Sequence, residues 1–423
     1  MKKLLLLIVG FGCFNGSIQA QQNAASIYAG IKKLGVMGSV LYIAAHPDDE
    51  NNSFLPYLTK EKNYRTAYLS LTRGDGGQNL IGKEQGIELG LIRTQELLAA
   101  RRIDGAEQYF STAYEFGYSK SAEEALTIWD HQKVLSDVVW VIRQFQPDII
   151  ITRFPGDARA GHGHHAASAI IANEAYLAAA DPNQFPEQLK RGVTAWKAKR
   201  ILWNTFNFGS VNTTNNNQFK LEVGGYNVIE GKSYGEIGAE ARTMHKSQGE
   251  GRPRRRGASY EFFELKGGDA AKNDIMDGVN TSWSRLQGAA VEASIDKIVN
   301  AYNIYDPSAS VPALVKLYQQ INALPVSNWR NYKLDQVQDI IKSCAGIYIE
   351  ATTQQQQVIP GESISVQFLL NQRSNANGVL QSIQLPSKDT SLNKTLVNNQ
   401  NIQFEYKLNV PANKSISQPY WLV

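Results

Sequence analysis

Short apolar runs alternate with longer segments of helical periodicity over roughly the first 265 residues. Continuous apolar runs are typical of strands that are covered on both faces, as in a parallel sheet. The longer segments repeat apolar residues at three- and four-residue spacing, which predicts amphipathic helices. Strands that alternate with helices predict an α/β domain with a mostly parallel sheet. The predicted strands are 38–45, 65–72, 147–154 and 199–206, and the predicted helices are 88–103, 127–145 and 165–180.

The pattern changes twice beyond this region. From about 270 to 343 apolar residues keep a helical spacing, whereas after Cys344 apolar and polar residues alternate, with Asn, Gly, Pro and Ser clusters between the runs. Alternation of this kind predicts a small antiparallel β-sandwich. The chain stops on the apolar run "PYWLV", which is typical of a strand that continues, so we expect an incomplete final domain. The predicted division is a signal peptide (1–20), the α/β domain (21–268), a helical connector (269–343) and the β-sandwich (344–423).

The first twenty residues have the pattern of a secretory signal. Lys2 and Lys3 precede an apolar stretch from Leu4 to Phe14, and "NGSIQA" then ends on a small residue. This order predicts cleavage after Ala20. The apolar stretch is too short to be a permanent transmembrane helix. We therefore expect an exported protein, periplasmic or extracellular, with no transmembrane span in the mature chain.

Charge and cysteine content exclude two classes of function. The formal net charge is +4, and loss of Lys2 and Lys3 with the signal would reduce it to +2. A charge this small gives no electrostatic footprint for nucleic acid. Of the two cysteines only Cys344 would stay in the mature chain, so neither an internal disulfide nor a cysteine metal site is expected. The sequence does not indicate an oligomeric state.

Candidate chemistry lies directly after two of the predicted strands. "AAHPDDENN" (44–52) follows the first strand, and "GHGHHAAS" (161–168) follows the strand at 147–154. A capped helix start would by itself explain the first motif, because Pro47 ends a strand and acidic residues favour a helix N-terminus. However, three of the six histidines fall in the second motif, and ligands of open α/β sheets bind at the carboxyl ends of the strands. The candidates are His46, Asp48, Asp49, His162, His164 and His165.

This set is compatible with a metal site. Two histidines and a carboxylate with an open fourth position are typical of catalytic zinc. His46 and Asp49 are three positions apart and can turn toward one ion. His164 and His165 are adjacent, and two adjacent residues do not share a face of a helix. We therefore favour His165, which is three positions after His162.

Four segments together resemble a known family. "AAHPDDE", "LTRGDGG" (71–77), "RTQELLAA" (93–100) and "GHGHH" look like the ordered motifs of the PIG-L-type, or LmbE-like, zinc-dependent N-deacetylases, over roughly residues 37–265. The resemblance implies a Rossmann-like domain in which zinc is bound by His46, Asp49 and His165. It also implies that Asp48 is the general base and that His162 steadies the tetrahedral intermediate. This chain departs from many members by having Gly163 and His164 where they carry Pro-Asp.

The resemblance also implies three substrate contacts. Arg73 and Asp75 would contact a sugar hydroxyl or the acyl group, and Arg93 would approach the substrate from the start of its helix. Each has a plain structural alternative. Arg73 and Asp75 would otherwise be solvated charges in a Gly-rich turn, and Arg93 would be a surface helix arginine.

These roles predict an exported N-deacetylase. Zinc would bring the pKa of its bound water to about 7, Asp48 would accept the proton of that water, and a protonated His162 would share the negative charge that develops. The predicted reaction removes an N-acyl group, in the first place acetyl, from an amino sugar or glycoconjugate. The same ligands would also accept iron or cobalt.

Two other functions stay open at this point. "GKSYG" (231–235) matches a nucleophile elbow, which would make Ser233 the nucleophile of a serine hydrolase, although Ser233 and Glu236 also match a capping box and only His245 follows them. The second alternative is a non-catalytic glycan-binding protein that binds through its β-sandwich. The basic stretch "GRPRRRG" (251–257) predicts a mobile solvated loop, with contact to an acidic glycan as the alternative.

Overall fold

The structure is a computed structural model that describes residues 22–208, 210–385 and 389–418. The predicted signal peptide and the final "PYWLV" lie outside these residues. The chain forms two compact units, of which one is Gly35–Gln287 and the other combines Met1–Leu34 with Gly288–Val423. Among the residues described, no helix has both the length and the apolar character needed to cross a membrane.

The helices and strands are numbered here in chain order. The helices are α1 (Ala24–Leu34), α2 (Phe54–Pro56), α3 (Ile87–Asp104), α4 (Ala122–Trp129), α5 (His131–Phe145), α6 (Gly163–Ala178), α7 (Pro186–Leu189), α8 (Tyr234–Arg242), α9 (Ala289–Ala301), α10 (Val311–Asn322) and α11 (Asn328–Cys344). The strands are β1 (Ser39–Ala44), β2 (Arg65–Ser70), β3 (Glu107–Phe110), β4 (Ile149–Thr152), β5 (Arg200–Thr205), β6 (Asn207–Phe208), β7 (Val211–Asn212), β8 (Phe219–Glu222), β9 (Tyr226–Asn227), β10 (Lys232–Ser233), β11 (Tyr260–Gly268), β12 (Ile347–Thr352), β13 (Ser363–Gln372), β14 (Val379–Gln384), β15 (Asp389–Thr395) and β16 (Asn401–Asn409).

A mixed, mostly parallel sheet forms the centre of the unit Gly35–Gln287. Its strand order is β3-β2-β1-β4-β5-β11-β8. The first five strands in this order are parallel to one another, whereas β11 runs antiparallel to both β5 and β8. The predicted Rossmann-like α/β class is therefore confirmed, with an antiparallel edge that the apolar runs did not indicate.

One predicted helix is two helices in the structure. The segment 127–145 is interrupted at Asp130, which has a φ of 61° and whose carboxylate accepts a hydrogen bond from the backbone N–H of Lys133 at 3.3 Å. Aspartate is a favoured N-cap because its side chain satisfies a free N–H of the first helical turn. Asp130 therefore begins α5 as a separate helix after α4.

The core lies on both faces of the sheet. Leu41 and Ile43 of β1 pack with residues of α5 and α6, whereas Val40, Tyr42 and Ala44 pack with residues of α2, α3 and α8. Side chains alternate between the two faces of a strand, so every position of β1 is buried. Burial on both faces explains why this strand reads as one continuous apolar run.

The order of the strands places β1 next to β4. Strands β2 and β3 lie on one side of β1, and β4 and β5 lie on its other side. Val40 pairs with Ile149 and Ile43 pairs with Thr152, so the carboxyl ends of the two strands are level. Loops diverge at such a switch point and leave a crevice between them. The two motifs that carry the candidate residues follow these two strands.

The second unit combines α1, α9, α10 and α11 with antiparallel sheets. Helix α1 buries Ile27, Ile31 and Leu34, and the hydroxyl of Tyr302 donates to the carbonyl of Ala24 at 2.7 Å. The alternating segments after Cys344 form a three-stranded antiparallel sheet, in the order β12-β13-β16, and the hairpin of β14 and β15.

The observed units differ from the predicted domain boundaries at two places. Helix α1 is grouped with the C-terminal part of the chain, and the α/β unit extends to Gln287 rather than ending at 268. The second difference has a clear cause, because Arg285 forms an ion pair with Asp148 at 2.8 Å and Arg200 donates to the carbonyl of Asp269 at 2.7 Å. These contacts attach residues 269–287 to the sheet.

Candidate metal and active site

The segment after β1 holds Asp49 between two imidazoles. The backbone N–H of His46 donates to Oδ2 of Asp49 at 2.7 Å, and Nδ1 of His46 lies 3.2 Å from the same oxygen. Nε2 of His165 lies 3.4 Å from Oδ1 of Asp49. The fold thus brings together the three residues that the sequence suggested as metal ligands, although they come from two distant loops.

The start of α6 presents two histidines on one side. His162 is the N-cap residue of α6, and its ring centroid is 3.9 Å from that of His165. Nδ1 of His165 lies 2.9 Å from the carbonyl of Ala160. A metal-binding histidine usually donates the N–H of its other ring nitrogen to a carbonyl in this way. With the proton on Nδ1, Nε2 on the side of Asp49 is able to bind a cation. The ring of His165 also stacks on Phe154, with the centroids 3.7 Å apart.

His164 takes a different direction. It is fully buried, at 0% exposure, and its ring contacts Phe116 and Trp129, with centroid distances of 4.4 and 4.8 Å. Its Nδ1 lies 3.1 Å from Nε2 of His46. His164 therefore contacts the face of His46 that is turned away from Asp49, and its tautomer is tied to that of His46.

Gly163 allows this turn to pack closely. A Cβ atom at this position would lie 2.1 Å from both the side-chain oxygen of Ser119 and the carbonyl oxygen of Ser121. The backbone N–H of Gly163 also donates to the carbonyl of Ser119 at 2.9 Å. Glycine is therefore needed in the second histidine motif because another segment of the chain lies against its backbone.

The ring nitrogens fit a divalent cation. His46, His162 and His165 each present a ligand atom, all within 4.8 Å of one another, and His46, Glu115 and His164 form a second such group. In the part of the chain that the structure describes, Nδ1 of His162 and Nε2 of His164 are buried without a hydrogen-bond partner. Orphaned buried polar atoms are costly, and imidazole with carboxylate is a donor set for zinc and related ions. The carboxylate of Asp49 lies beside the first group, in contact with His46 and His165.

Electrostatic effects within the site favour an ionised Asp49 and a neutral His162. Burial acts to lower the pKa of His46, but Asp49 outweighs it and that pKa is raised. Burial acts to raise the pKa of Asp49, but His165 and His46 outweigh it and hold that pKa well below its usual range. Burial, together with neighbouring His165 and His46, lowers the pKa of His162 to about 3. His162 is therefore a neutral ring at neutral pH, rather than the imidazolium expected from the sequence. A neutral ring can still donate one N–H hydrogen bond.

Asp48 has a strained backbone that several contacts hold in place. Its φ is 101°, a region that costs a non-glycine residue about 1–3 kcal/mol. Its N–H donates to Oε2 of Glu50 at 3.0 Å, and its carbonyl accepts a hydrogen bond from Arg242. Its carboxylate forms an ion pair with Arg93 at 3.0 Å. Burial raises the pKa of Asp48, and Arg93 opposes that rise.

The three predicted substrate-binding residues are used in other ways. Arg93 is only 3% exposed and donates to the carbonyl of Pro47 at 2.7 Å as well as to Asp48. The guanidinium of Arg73 lies 4.1 Å from the centroid of the Phe110 ring. The carboxylate of Asp75 accepts from the backbone N–H of Glu115 at 3.2 Å. These contacts hold the loop and Asp48, and none of the three predicted residues is on the wall of the cavity described below.

The carboxylate of Glu50 is buried in ion pairs and does not lie at the start of a helix. It is 2% exposed and lies 3.0 Å from Arg101 and 2.9 Å from Nε2 of His245. Burial acts to raise the pKa of Glu50, but His245 and Arg101 outweigh it, so this pKa is lowered. Helix α2 begins at Phe54, whose backbone N–H donates to Oδ1 of Asn51 at 3.1 Å. This role was not predicted from the sequence, although the third acid in "HPDDE" was a signal for it.

Glu50→Gln should therefore destabilise the protein by about 3 kcal/mol, since removing one partner of a buried ion pair leaves the other charge uncompensated. Urea unfolding of the full chain measures this change. Glu230→Gln is the matched control, because its pair with Lys60 is at the surface and should be worth less than about 1 kcal/mol. Equal losses for the two variants would contradict the role assigned to Glu50.

The structure does not arrange Ser233 as the nucleophile of a serine hydrolase. Ser233 is the N-cap residue of α8 and forms a complete capping box with Glu236. Its hydroxyl donates to the carbonyl of Arg255 at 2.9 Å. His245, the histidine that follows it in the chain, is buried against Glu50. The elbow motif thus has a structural use here.

A cavity of about 630 Å³ opens beside the histidines. Asp48, Asp49, His162 and His165 lie on its wall, together with parts of α8 and of the loop after it. A volume of this size is in the range that holds small ligands. Asp48, Asp49 and His165 are thus accessible to a molecule of the size of a sugar, whereas His46 lies buried behind them.

The fold and this site define a Rossmann-like α/β domain with a histidine and carboxylate cation site at its switch point. Residues 41–176 match the family model described as "PIG-L: GlcNAc-PI de-N-acetylase". The resemblance predicted from the sequence is therefore confirmed, and it is confirmed for a shorter segment than the expected 37–265.

Other proteins resemble parts of the chain. A 1D-myo-inositol 2-acetamido-2-deoxy-alpha-D-glucopyranoside deacetylase from Streptomyces avermitilis is 26% identical over 182 residues, which are 39% of this chain and 60% of the relative. The chain thus spans 60% of the length of that curated relative. Among solved structures, the N,N'-diacetylchitobiose deacetylase from Pyrococcus horikoshii is 20% identical, with a TM-score of 0.38, over 50% of this chain and 70% of that one. The 4-carboxy-2-hydroxymuconate hydratase from Pseudomonas putida also has a TM-score of 0.38, at 16% identity, over 56% of this chain and 100% of that one.

Proposed function

We propose that this protein is a metal-dependent hydrolase that removes an N-acyl group, in the first place acetyl, from an amino sugar or glycoconjugate. The observation that carries the proposal is the convergence of His46, Asp49 and His165, with Asp48, Asp49 and His165 on the wall of one cavity. The match of residues 41–176 to a de-N-acetylase family supports the same reaction.

The residues of the site would have separate roles in binding the cation, moving the proton and stabilising the negative charge. His46, Asp49 and His165 would hold the cation, which when bound supplies an acidic water and a polarising centre for the acyl oxygen. Asp48 would accept the proton of the attacking water, since Arg93 and Arg242 hold its carboxylate and its carbonyl in place. His162, as a neutral ring, would donate an N–H hydrogen bond to the oxygen on which negative charge develops. Asp48 would then return its proton to the departing amine.

Elemental analysis and acetate release together test this proposal. The purified full chain should carry about one divalent ion, and it should release acetate from at least one member of a panel of N-acetylated amino sugars. Chelation should abolish the release, and added zinc should restore it. A metal-bearing protein that releases no acetate from the panel would contradict the proposed reaction, and release that survives chelation would contradict its metal dependence.

We also propose that the protein is exported, on the basis of the signal pattern in residues 1–20. The mass of the mature protein should then correspond to a chain that begins at Gln21. A cell-associated protein that retains Met1 would contradict export.

A further inference from the structure

The basic loop 251–257 is exposed to solvent, as its composition predicted. Three of its arginines form ion pairs with acidic residues on or just after α8. Arg252 pairs with Glu250 at 3.3 Å, Arg254 with Glu240 at 3.2 Å, and Arg256 with Glu236 at 2.6 Å. Surface pairs are individually weak, but three along one segment act together. They hold the loop in register against the helix.

Arg255 is oriented differently from its neighbours. Arg255 lies on the wall of the cavity, as do Arg252 and Pro253, whereas Arg254 and Arg256 do not. Among the residues that the structure describes, no carboxylate forms an ion pair with the guanidinium of Arg255. Its charge is therefore available to a molecule in the cavity.

The backbone of Arg255 packs closely against the start of α8. Its carbonyl accepts the hydrogen bond from Ser233 at 2.9 Å. A Cβ atom on Gly235 would lie 2.6 Å from the same carbonyl oxygen, so the contact requires glycine at that position. The serine and second glycine of "GKSYG" thus serve to bring this loop against the start of α8.

Charge on the cavity wall favours an anion near Arg255. Five arginines and four carboxylates lie on this wall. Three of the carboxylates, Asp48, Asp49 and Glu50, are paired with buried cations or imidazoles, whereas Glu261 accepts a hydrogen bond from the amide of Asn204 at 2.9 Å. Three of the arginines, Arg159, Arg242 and Arg252, are paired with Asp157 and Glu250. Among the described residues this leaves Arg153 and Arg255 on the wall without an ion pair to a carboxylate.

We propose that Arg255 binds an anionic group of the substrate, so that the preferred substrate is an acidic N-acetylated amino sugar or conjugate that bears a carboxylate, sulfate or phosphate. This inference rests on the proposed deacetylation. The planar guanidinium can form two parallel hydrogen bonds with any of these three anions. The loop lies outside residues 41–176, so the preference is a property of this chain rather than of the matched segment.

Matched substrates and two neighbouring variants test the inference. The wild type is compared on N-acetylglucosamine, its 6-sulfate and 6-phosphate, and N-acetylmuramic acid, which carries a carboxylate. At least one acidic member should have a kcat/KM about 10- to 100-fold above that of N-acetylglucosamine, the range expected for a hydrogen-bonded charge. Arg255→Ala should bring this ratio close to one, and Arg255→Lys should restore it in part. Arg254→Ala, the matched control, should leave the ratio unchanged.

Binding separates this inference from the proposed reaction. The deacetylated forms of the same sugars are titrated calorimetrically into the metal-loaded protein, and the acidic form should bind about 10- to 100-fold more tightly than glucosamine in the wild type but not in Arg255→Ala. The absence of acetate release from every sugar would contradict the deacetylation, whatever the binding result. Release without preference for an acidic sugar, or an equal effect of Arg254→Ala and Arg255→Ala, would overturn the role of Arg255 alone.

Discussion

Asp48→Asn should keep its metal and lose activity by about 10²- to 10⁴-fold, the range for removal of a general acid–base group. The asparagine carbonyl can still accept the hydrogen bond that Arg93 donates to Oδ1 of Asp48. The backbone contacts of Asp48 with Glu50 and Arg242 do not involve its carboxylate. The variant should therefore keep the strained turn and the neighbouring ligands, and lose only the group that accepts a proton.

The measurements are acetate release and metal content on the same preparation. Asp157→Asn is a suitable control, because Asp157 is an exposed carboxylate paired with Arg159 at 2.6 Å and should leave both quantities unchanged. Activity near that of the wild type in Asp48→Asn would contradict the role of Asp48 as the base. Loss of metal from this variant would instead make Asp48 a ligand.

His165→Ala should lose both metal and activity. Its Nε2 faces Asp49, and its Nδ1 contacts the carbonyl of Ala160, so alanine removes a ligand that the fold has oriented in advance. Loss of a supporting residue alone typically costs 10- to 100-fold in metal affinity, so loss of the ligand itself should cost more than about 100-fold. Elemental analysis after dialysis, together with acetate release, measures the effect.

Two further variants make this prediction specific. His131→Ala is the control, because His131 is a half-exposed histidine paired with Glu174 at 2.6 Å and should retain metal. His162→Ala should also retain metal and lose activity, since His162 is assigned a hydrogen-bonding role. A metal-replete but inactive His165→Ala protein would overturn the ligand assignment. Loss of metal from His162→Ala would instead make His162 a ligand. This alternative is specific, because a ring nitrogen of His162 lies within 4.8 Å of ring nitrogens of His46 and His165.

The sequence by itself determined the α/β class and the edge of the sheet at which the candidate site residues lie. Burial on both faces makes β1 and β4 continuous apolar runs, so both strands are readable from local composition. Parallel strands place their carboxyl ends on one edge, so the motifs that follow β1 and β4 had to share that edge. His46, Asp49 and His165 were predictable as a group for this reason. The capping box at Ser233 was also local, because both partners lie within one helical turn.

Tertiary structure alone decided which charges meet across the chain. Arg93 was predicted to contact substrate, but it lies against Asp48, 45 residues away in sequence. Glu50 is paired with Arg101 and His245, and the latter is 195 residues away. The strength of a charge interaction depends on distance and burial, and neither quantity is written in the sequence near a single residue. The protonation state of His162 and the free guanidinium of Arg255 were set in the same way, by neighbours that only the folded chain brings near.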